Sequence, residues 1–175
     1  MQIQLWNGCK DGKVEEVQKL LQNSQINLNW QNQNKYLTPF YIACEKGHLE
    51  IVKLLLNDSR VDITKADDHD YTPFYIACQE GHTNIVELLL NDKRVDINKV
   101  SRESDGLTPF SVACYEGHIE IVKLLLNERK IDINEKDIRG FTGLDWAKHK
   151  GKTDIVKLIE SFQEICNFFS IVFLI

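Results

Sequence analysis

The 175-residue chain has few residues that break helices and no excess of positive charge: three prolines, nine glycines, and 21 basic against 26 acidic side chains. A net charge of -5 lacks the basic surface that contacts nucleic-acid phosphates, so we expect no nucleic-acid binding. The first residues, MQIQLWNGCKDGK, lack the basic start and apolar run of about 7 to 15 residues that a secretory signal requires. We therefore expect a cytoplasmic protein.

Two stretches of the chain are nearly identical. TPFYIACEKGHLEIVKLLLN begins at Thr38, and TPFYIACQEGHTNIVELLLN begins at Thr72. Threonines at this place in successive units are spaced by 34, 36 and 34 residues, and glycines repeat in the same way. A fixed period of this kind predicts repeated structural units. We expect five of them, before a hydrophobic tail at 166-175, at about 1-34, 35-68, 69-104, 105-138 and 139-165.

Each unit carries the signals of a short helix followed by a second helix. Thr38-Pro39 predicts an N-cap and the first helical residue. Gly47 is typical of the left-handed residue that ends a helix. The following HLEIVKLLL is apolar over most of its circumference, so this second helix must be buried on more than one side. It ends at Asn57, a residue type that tolerates the left-handed cap conformation, and later units end at Asn91 and Asn127.

Neighbouring helix pairs must share a core, because one pair has too little apolar surface to be stable alone. Alanine recurs at the same point of each first helix, at Ala43, Ala77, Ala113 and Ala147. So small a side chain lets adjacent helices approach closely. We therefore expect Ala77→Leu to be among the most damaging substitutions. Beyond the second helix, Val61-Asp62-Ile63 indicates an extended chain that returns toward a turn.

This pattern resembles the ankyrin repeat family. A Thr-Pro start, small residues in a short helix, Gly-His, and then Ile-Val-x-Leu-Leu-Leu cover about residues 1 to 163. The resemblance implies an all-α repeat solenoid of stacked helix-turn-helix pairs with projecting β-hairpin loops. It also implies that the repeats hold other proteins and are not catalysts.

The chain departs from the family pattern in three ways. The usual Thr-Pro-Leu-His is replaced by Thr-Pro-Phe-Tyr or Thr-Pro-Phe-Ser, which removes the histidine and its usual hydrogen bonds. The turn glycine is replaced by Tyr36 in the second unit and by Asp70 in the third. Two further residues enter the loop at 99–105, which we expect to protrude.

Three Cys-x-x-x-His pairs, beginning with Cys44 and His48, invite a metal-site interpretation. Zinc needs about four converging ligands, yet stacked helices lie about 8 to 10 Å apart, and the intervening glycine ends the helix that would align each pair. We therefore interpret the cysteines as small, reduced packing residues, and we expect no metal and no cofactor. An acidic cluster leaves weak cation binding open as an alternative, at Asp67, Asp68, His69 and Asp70.

Protein recognition is the better candidate, because the sequence shows no nucleophile paired with a base and no glycine-rich phosphate loop. By the resemblance, a binding groove is lined by the hairpin tips and by the positions just before each Gly-His. On the tips these residues are Lys35, Leu37, Asp68, His69, Tyr71, Asp105, Leu107, Arg139 and Phe141. On the first helices they are Glu45, Lys46, Gln79, Glu80, Tyr115, Glu116, His149 and Lys150.

The residue before each unit's threonine is apolar at Leu37, Tyr71, Leu107 and Phe141. Two interpretations of this row stay open. In the first, the four side chains form an exposed apolar row, rimmed by charge, that binds a partner. In the second, each side chain packs on the next hairpin.

The tail ICNFFSIVFLI does not repeat. It is shorter than the roughly twenty residues that a helix needs to span a bilayer. It covers the last helix, marks a truncated longer protein, or adheres to membranes or other chains, and we favour the first two. We expect removal of residues 166 to 175 to leave the fold intact.

These observations predict a monomeric, non-enzymatic scaffold for protein–protein interaction, which presents a preformed concave surface to another protein. The alternative is that the chain is the repeat portion of a larger enzyme or membrane-associated protein, whose effector part lies outside it.

Overall fold

A computed structural model of the chain describes residues 1–101 and 105–172. These residues form ten helices and no β-strand. In chain order the helices are α1 (Gln2–Asp11), α2 (Val14–Leu21), α3 (Pro39–Glu45), α4 (Leu49–Leu56), α5 (Pro73–Gln79), α6 (Thr83–Leu90), α7 (Pro109–Glu116), α8 (Ile119–Leu126), α9 (Gly143–His149) and α10 (Thr153–Val172). They come in stacked pairs, which confirms the predicted all-α repeat solenoid.

Threonine begins the first helix of the three central units, as the sequence predicts. Thr38 Oγ1 accepts a hydrogen bond from the Tyr41 backbone N–H at 3.0 Å. Thr72 and Thr108 form the same bond to the third helical residue. Proline follows each threonine because the first helical N–H has no partner within the helix, so a residue without that group loses nothing there.

The last unit replaces Thr-Pro with a capping box. Thr142 Oγ1 accepts from the Asp145 backbone N–H at 3.3 Å, and the Asp145 carboxylate accepts from the Thr142 backbone N–H at 2.9 Å. These bonds to the Thr142 backbone, and then to its hydroxyl, lower the pKa of Asp145. A carboxylate near the start of a helix is stabilised further by the helix dipole.

We expect Asp145→Asn to reduce the free energy of unfolding by about 1 kcal/mol at pH 7, the usual value of an N-terminal cap. Because the folded pKa lies below the unfolded value of about 3.9, the stabilisation is present above that value and is lost as the pH falls through the folded pKa. Urea titrations of both proteins from pH 7 to pH 3 measure it. A difference between wild type and variant that stays constant below about pH 4 contradicts the assignment, and Glu87→Gln on α6 is the control.

Glycine ends each first helix and leaves space for the following unit. The five helix-ending glycines have φ between 67° and 97°. A Cβ atom added at Gly81 would lie 2.6 Å from Cε1 of His118. The His118 Nε2 lies 2.9 Å from the Gln79 carbonyl oxygen, and His48 and His82 make the equivalent bond to the units before them. The Gly-His pair therefore links consecutive units.

Successive first helices pack against one another more extensively than successive second helices do. The alanines Ala43, Ala77, Ala113 and Ala147 lie in this row and are fully buried. The first helices thus form the more closely packed row of the stack. The apolar side chains of both rows form one continuous core along the chain.

Arginines beyond the second helices connect each unit to the one before it. Arg60 donates to the carbonyl oxygens of Leu21 at 2.9 Å and Asn23 at 3.1 Å. Arg94 donates to the carbonyl oxygen of Leu56 at 3.3 Å. The last carbonyls of a helix lack partners within the helix, so the guanidinium groups satisfy them and place positive charge at the favourable end of the dipole.

The asparagines that end the second helices do not take the left-handed conformation that their residue type tolerates. Asn57, Asn91 and Asn127 have φ of -79°, -81° and -77°, which is right-handed. The chain reverses one residue later, where the Asp58 carboxylate accepts the Arg60 backbone N–H at 3.1 Å. This side-chain turn reverses the chain without a left-handed residue.

The final helix does not stop where the repeat pattern ends. It runs for 20 residues to Val172, whereas α8 has eight. Within the described residues the tail therefore prolongs the last helix, and the expectation that it covers that helix is wrong. No helix in the described ranges is long and apolar enough to cross a membrane. Residues 173–175, and residues 102–104 of the loop expected to protrude, lie outside the described part of the chain.

Candidate functional site

Hairpin tips between consecutive units line one edge of the stack. Asp67 Oδ1 accepts the backbone N–H groups of His69 at 3.0 Å and Tyr71 at 2.9 Å. Asp137 holds the tip of the fifth unit in the same way, and Asn32 holds that of the second. Backbone bonds also close each tip: the Asp67 N–H donates to the Tyr71 carbonyl at 3.0 Å, and the Asp70 N–H donates to the Asp67 carbonyl at 3.3 Å. Side chains that bind their own backbone in this way give the turn a defined shape.

The turn position is left-handed in all four tips, with or without glycine. The φ angle is 76° at Gly106 and 81° at Gly140, and it is 56° at Tyr36 and 63° at Asp70. Aspartate tolerates this conformation, but a tyrosine in it is an outlier. The second unit therefore keeps an aromatic ring at a strained, 55% exposed position.

We expect Tyr36→Gly to raise the free energy of unfolding by about 1 kcal/mol, because glycine removes the steric conflict between Cβ and the backbone. Chemical denaturation measures the change. Asp70→Gly is the matched control: Asp70 pairs with Lys99 at 2.9 Å, and aspartate is less strained there, so its replacement should give little or no gain. A loss of stability in Tyr36→Gly would show that the ring packs against the fold.

Neighbouring tips are joined to one another. The Asp68 N–H donates to the Lys35 carbonyl at 3.4 Å, and the Ile138 N–H donates to the Asp105 carbonyl at 3.2 Å. The Tyr41 hydroxyl, on α3, donates to Asp67 of the next tip at 2.9 Å. These bonds hold the tips as one wall beside the first helices.

The positions before each Gly-His form the floor beside this wall. Glu45, Gln79 and Tyr115 are half-buried on α3, α5 and α7. The next residue in each unit is exposed, as are both positions of the last unit: Lys46, Glu80, Glu116, His149 and Lys150. We refer to the surface made by the tips and these helix positions as the groove. The structure brings seven of the predicted residues together around one cavity: Tyr71, Gln79, Asp105, Leu107, Tyr115, Glu116 and Arg139.

A cavity of about 340 Å³ opens in the groove between the third, fourth and fifth units. The rings of Tyr71, Tyr75, Tyr115 and Trp146 line it. Tyr71 and Tyr75 are stacked, with ring centroids 4.3 Å apart and an angle of 12°. Tyr115 meets Trp146 edge to face at 5.1 Å. Aromatic pairs in these arrangements attract one another beyond simple burial, so they stiffen the cavity walls.

Carboxylates anchor two of these rings. The Tyr71 hydroxyl donates to Asp105 at 3.1 Å, and the Trp146 indole N–H donates to Asp137 at 2.8 Å. Burial, together with the charge of Asp105, raises the pKa of Tyr75 above its usual range. Polar groups thus hold these two rings at their edges, while neighbouring rings pack against them.

The apolar row before the threonines divides into two kinds of residue. Leu37 and Leu107 are only 5% and 7% exposed, so for them the structure favours packing, although Leu107 also forms part of the cavity wall. Tyr71 is half-buried and Phe141 is 36% exposed. Phe141 lies 5.2 Å from Trp146, ring centre to ring centre. Of the two interpretations left open, packing therefore holds for Leu37 and Leu107, and the four side chains do not form one exposed row.

Sequence reasoning missed six residues of the groove. Tyr36 and Ile138 are exposed on the tips, and the cavity is also lined by Val112, Asp137, Tyr75 and Trp146. Helical spacing offered a signal for the last two, because Tyr75 lies four residues before Gln79 and Trp146 lies three before His149, on the same helix faces. No comparable signal marks Tyr36 or Ile138.

The Cys-x-x-x-His pairs are built into the packing. Burial raises the pKa of Cys9 to about 12, and it raises the pKa values of Cys44, Cys78 and Cys114 above their usual range. A protonated thiol is a poor metal ligand and a poor nucleophile. Among the described residues, no group of three His, Cys, Asp or Glu side chains could hold a metal ion.

The comparisons agree with this architecture. A family model described as ankyrin repeats (3 copies) matches residues 5–101 and 93–167. A search of curated proteins found no match. Ankyrin repeats are generally modules for protein–protein interaction. With its paired helices, Gly-His links and projecting tips, the chain belongs to the ankyrin repeat family.

Proposed function

We propose that this protein is a non-enzymatic scaffold that holds another protein in the groove. The observation that carries the proposal is the cavity between the third, fourth and fifth units, where four aromatic rings meet beside exposed charged side chains. Concave sites with aromatic walls and a few placed polar groups are where proteins bind ligands. Tyrosine, tryptophan and arginine are also the residues most enriched at energetically important contacts between proteins.

The groove is suited to binding because it is already ordered. Each tip is held by side-chain bonds to its own backbone, and neighbouring tips are bonded to one another. A preformed surface loses little conformational freedom on association, so its contacts contribute to affinity. This supports recognition of a partner without refolding. We propose in addition that the protein acts as a monomer in the cytoplasm.

The second candidate is that the chain is the repeat portion of a larger enzyme or membrane-associated protein. One observation favours it: α10 extends past the repeat pattern, and its Ile165 and Phe168 are 56% and 65% exposed. Exposed apolar side chains on one helix are typical of a contact with another element.

A pull-down with matched charge reversals tests the groove. We expect Glu80→Arg combined with Glu116→Arg, both in the groove, to remove proteins that the wild type captures, as identified by mass spectrometry. Glu87→Arg combined with Glu164→Arg changes the same charge on exposed positions of second helices and should retain them. Both variants should melt at the wild-type temperature. Equal capture by the two variants would refute the groove as the binding surface.

A further inference from the structure

The cavity in the groove carries more negative than positive charge. Asp105, Glu116 and Asp137 line it with one cation, Arg139. Asp137 is only 8% exposed, and its carboxylate accepts hydrogen bonds from the N–H groups of Arg139, Phe141 and Trp146. Asp105 accepts from Tyr71, Ser101 and the Leu107 N–H. Carboxylates beside aromatic walls, partly withdrawn from water, attract a cation more strongly than carboxylates on an open surface do.

The aromatic rings around the cavity already contact cations of the chain itself. Lys150 Nζ lies 4.2 Å from the centre of the Tyr115 ring, and Arg139 Cζ lies 5.7 Å from the centre of the Trp146 ring. Both distances are within the range of about 6 Å in which a cation is attracted to an aromatic face. Positive groups therefore already contact these rings, and a cation from a partner would displace Lys150 from the half-buried Tyr115 ring.

We propose that this cavity binds the guanidinium group of an arginine side chain in an extended segment of the partner protein. The inference rests on the proposed function, since it names the chemistry that the groove recognises. A guanidinium is planar, stacks on aromatic faces and donates hydrogen bonds in a fork that matches a carboxylate. Asp105 and Glu116 line the cavity together with the half-buried ring of Tyr115. A volume of about 340 Å³ is at the small end of ligand pockets, which suits one side chain.

The direct test is a titration of the ¹⁵N-labelled full chain with N-acetyl-arginine amide at low salt. We expect a saturable shift of the Trp146 indole N–H signal and of the Tyr115 and Glu116 amide signals. The neutral isostere N-acetyl-citrulline amide should shift them much less, and N-acetyl-lysine amide should bind more weakly than the arginine probe. Raising the ionic strength should weaken binding, because the attraction is partly electrostatic.

Two variants that remove charges of opposite sign, one negative and one positive, extend this test. We expect Glu116→Gln to lower the affinity for the arginine probe by about three- to tenfold, because it removes a carboxylate from the cavity rim. Arg139→Gln should tighten binding, because it removes one of the two cations, Arg139 and Lys150, that compete for the rings of the cavity. Both side chains are exposed, so neither change should disturb folding. Glu87→Gln, on a helix that contributes nothing to the cavity, is the matched control and should bind as the wild type does.

The proposal is overturned if the probe gives no saturable shift, if citrulline or lysine amide binds as well as arginine amide, or if Glu116→Gln leaves the affinity unchanged. Equal binding of citrulline amide and arginine amide would indicate that the cavity recognises a neutral segment of the partner. The pull-down tests the proposed function separately. If the groove variants lose their partners and the arginine probe does not bind, only the cation site is refuted.

Discussion

Gly81→Ala should reduce the free energy of unfolding by about 3 kcal/mol, as the sum of two effects of similar size. Gly81 has a φ of 79°, and a left-handed conformation costs a residue with a side chain about 1–2 kcal/mol. The new methyl group would also lie 2.6 Å from the His118 ring. Displacing that ring breaks its bond to the Gln79 carbonyl, which leaves a polar group without its partner. Urea denaturation followed by circular dichroism measures the loss.

Gly140→Ala is the matched control for Gly81→Ala. Its φ is 81°, but no atom lies within 4 Å of the added Cβ position. It should therefore lose only the backbone contribution, about 1–2 kcal/mol. A double variant of Gly81→Ala with His118→Ala should show a smaller effect of the alanine than the single variant does, because the ring that it meets is gone. Equal losses at Gly81 and Gly140 would contradict a packing role for the Gly-His link.

Ala77→Leu should reduce the free energy of unfolding by about 3 kcal/mol, the upper part of the usual range for overpacking a core. Ala77 is fully buried on α5, which packs between α3 and α7. Three added carbon atoms have no space in a close-packed row, so the neighbouring helices must separate. Their separation would also affect the bonds between adjacent units, such as His118 to Gln79.

The same denaturation experiment applies to Ala77→Leu, with Ala66→Leu as its control. Ala66 is half-buried in a hairpin outside the helix row, so this change should stay within about 0.5 kcal/mol of the wild type. A loss below about 1 kcal/mol at Ala77 would mean that the row of first helices adapts to larger side chains, contrary to the packing described above.

The helix boundaries could be predicted because their causes lie within a few residues. A threonine oxygen binds an N–H three positions away, as Thr38 does with Tyr41, and a glycine such as Gly47 reverses the chain at its own position. The asparagines that end the second helices differ from the predicted left-handed conformation for an equally local reason. At Asn57 the following aspartate forms the turn, so the tolerance of asparagine for a left-handed conformation was not needed.

The groove was only partly predictable, because its residues come from different units. The positions before each Gly-His could be placed on one side of the stack from their spacing alone. Burial of Leu37 and Leu107 depends on the neighbouring hairpins, and the stacking of Tyr71 on Tyr75 depends on the direction in which a tip returns to its helix. These arrangements leave no periodic signal in the chain.

The sequence by itself determined the repeat, the helix ends and the small residues that allow stacking, because short-range hydrogen bonds and steric limits set them. Only the tertiary structure decided which rings and charges share the cavity. Asp105, Tyr115, Asp137 and Trp146 are brought together by the stacking of helix pairs and the closing of hairpins. A contact between units depends on the relative placement of two packed elements, which a local pattern does not contain.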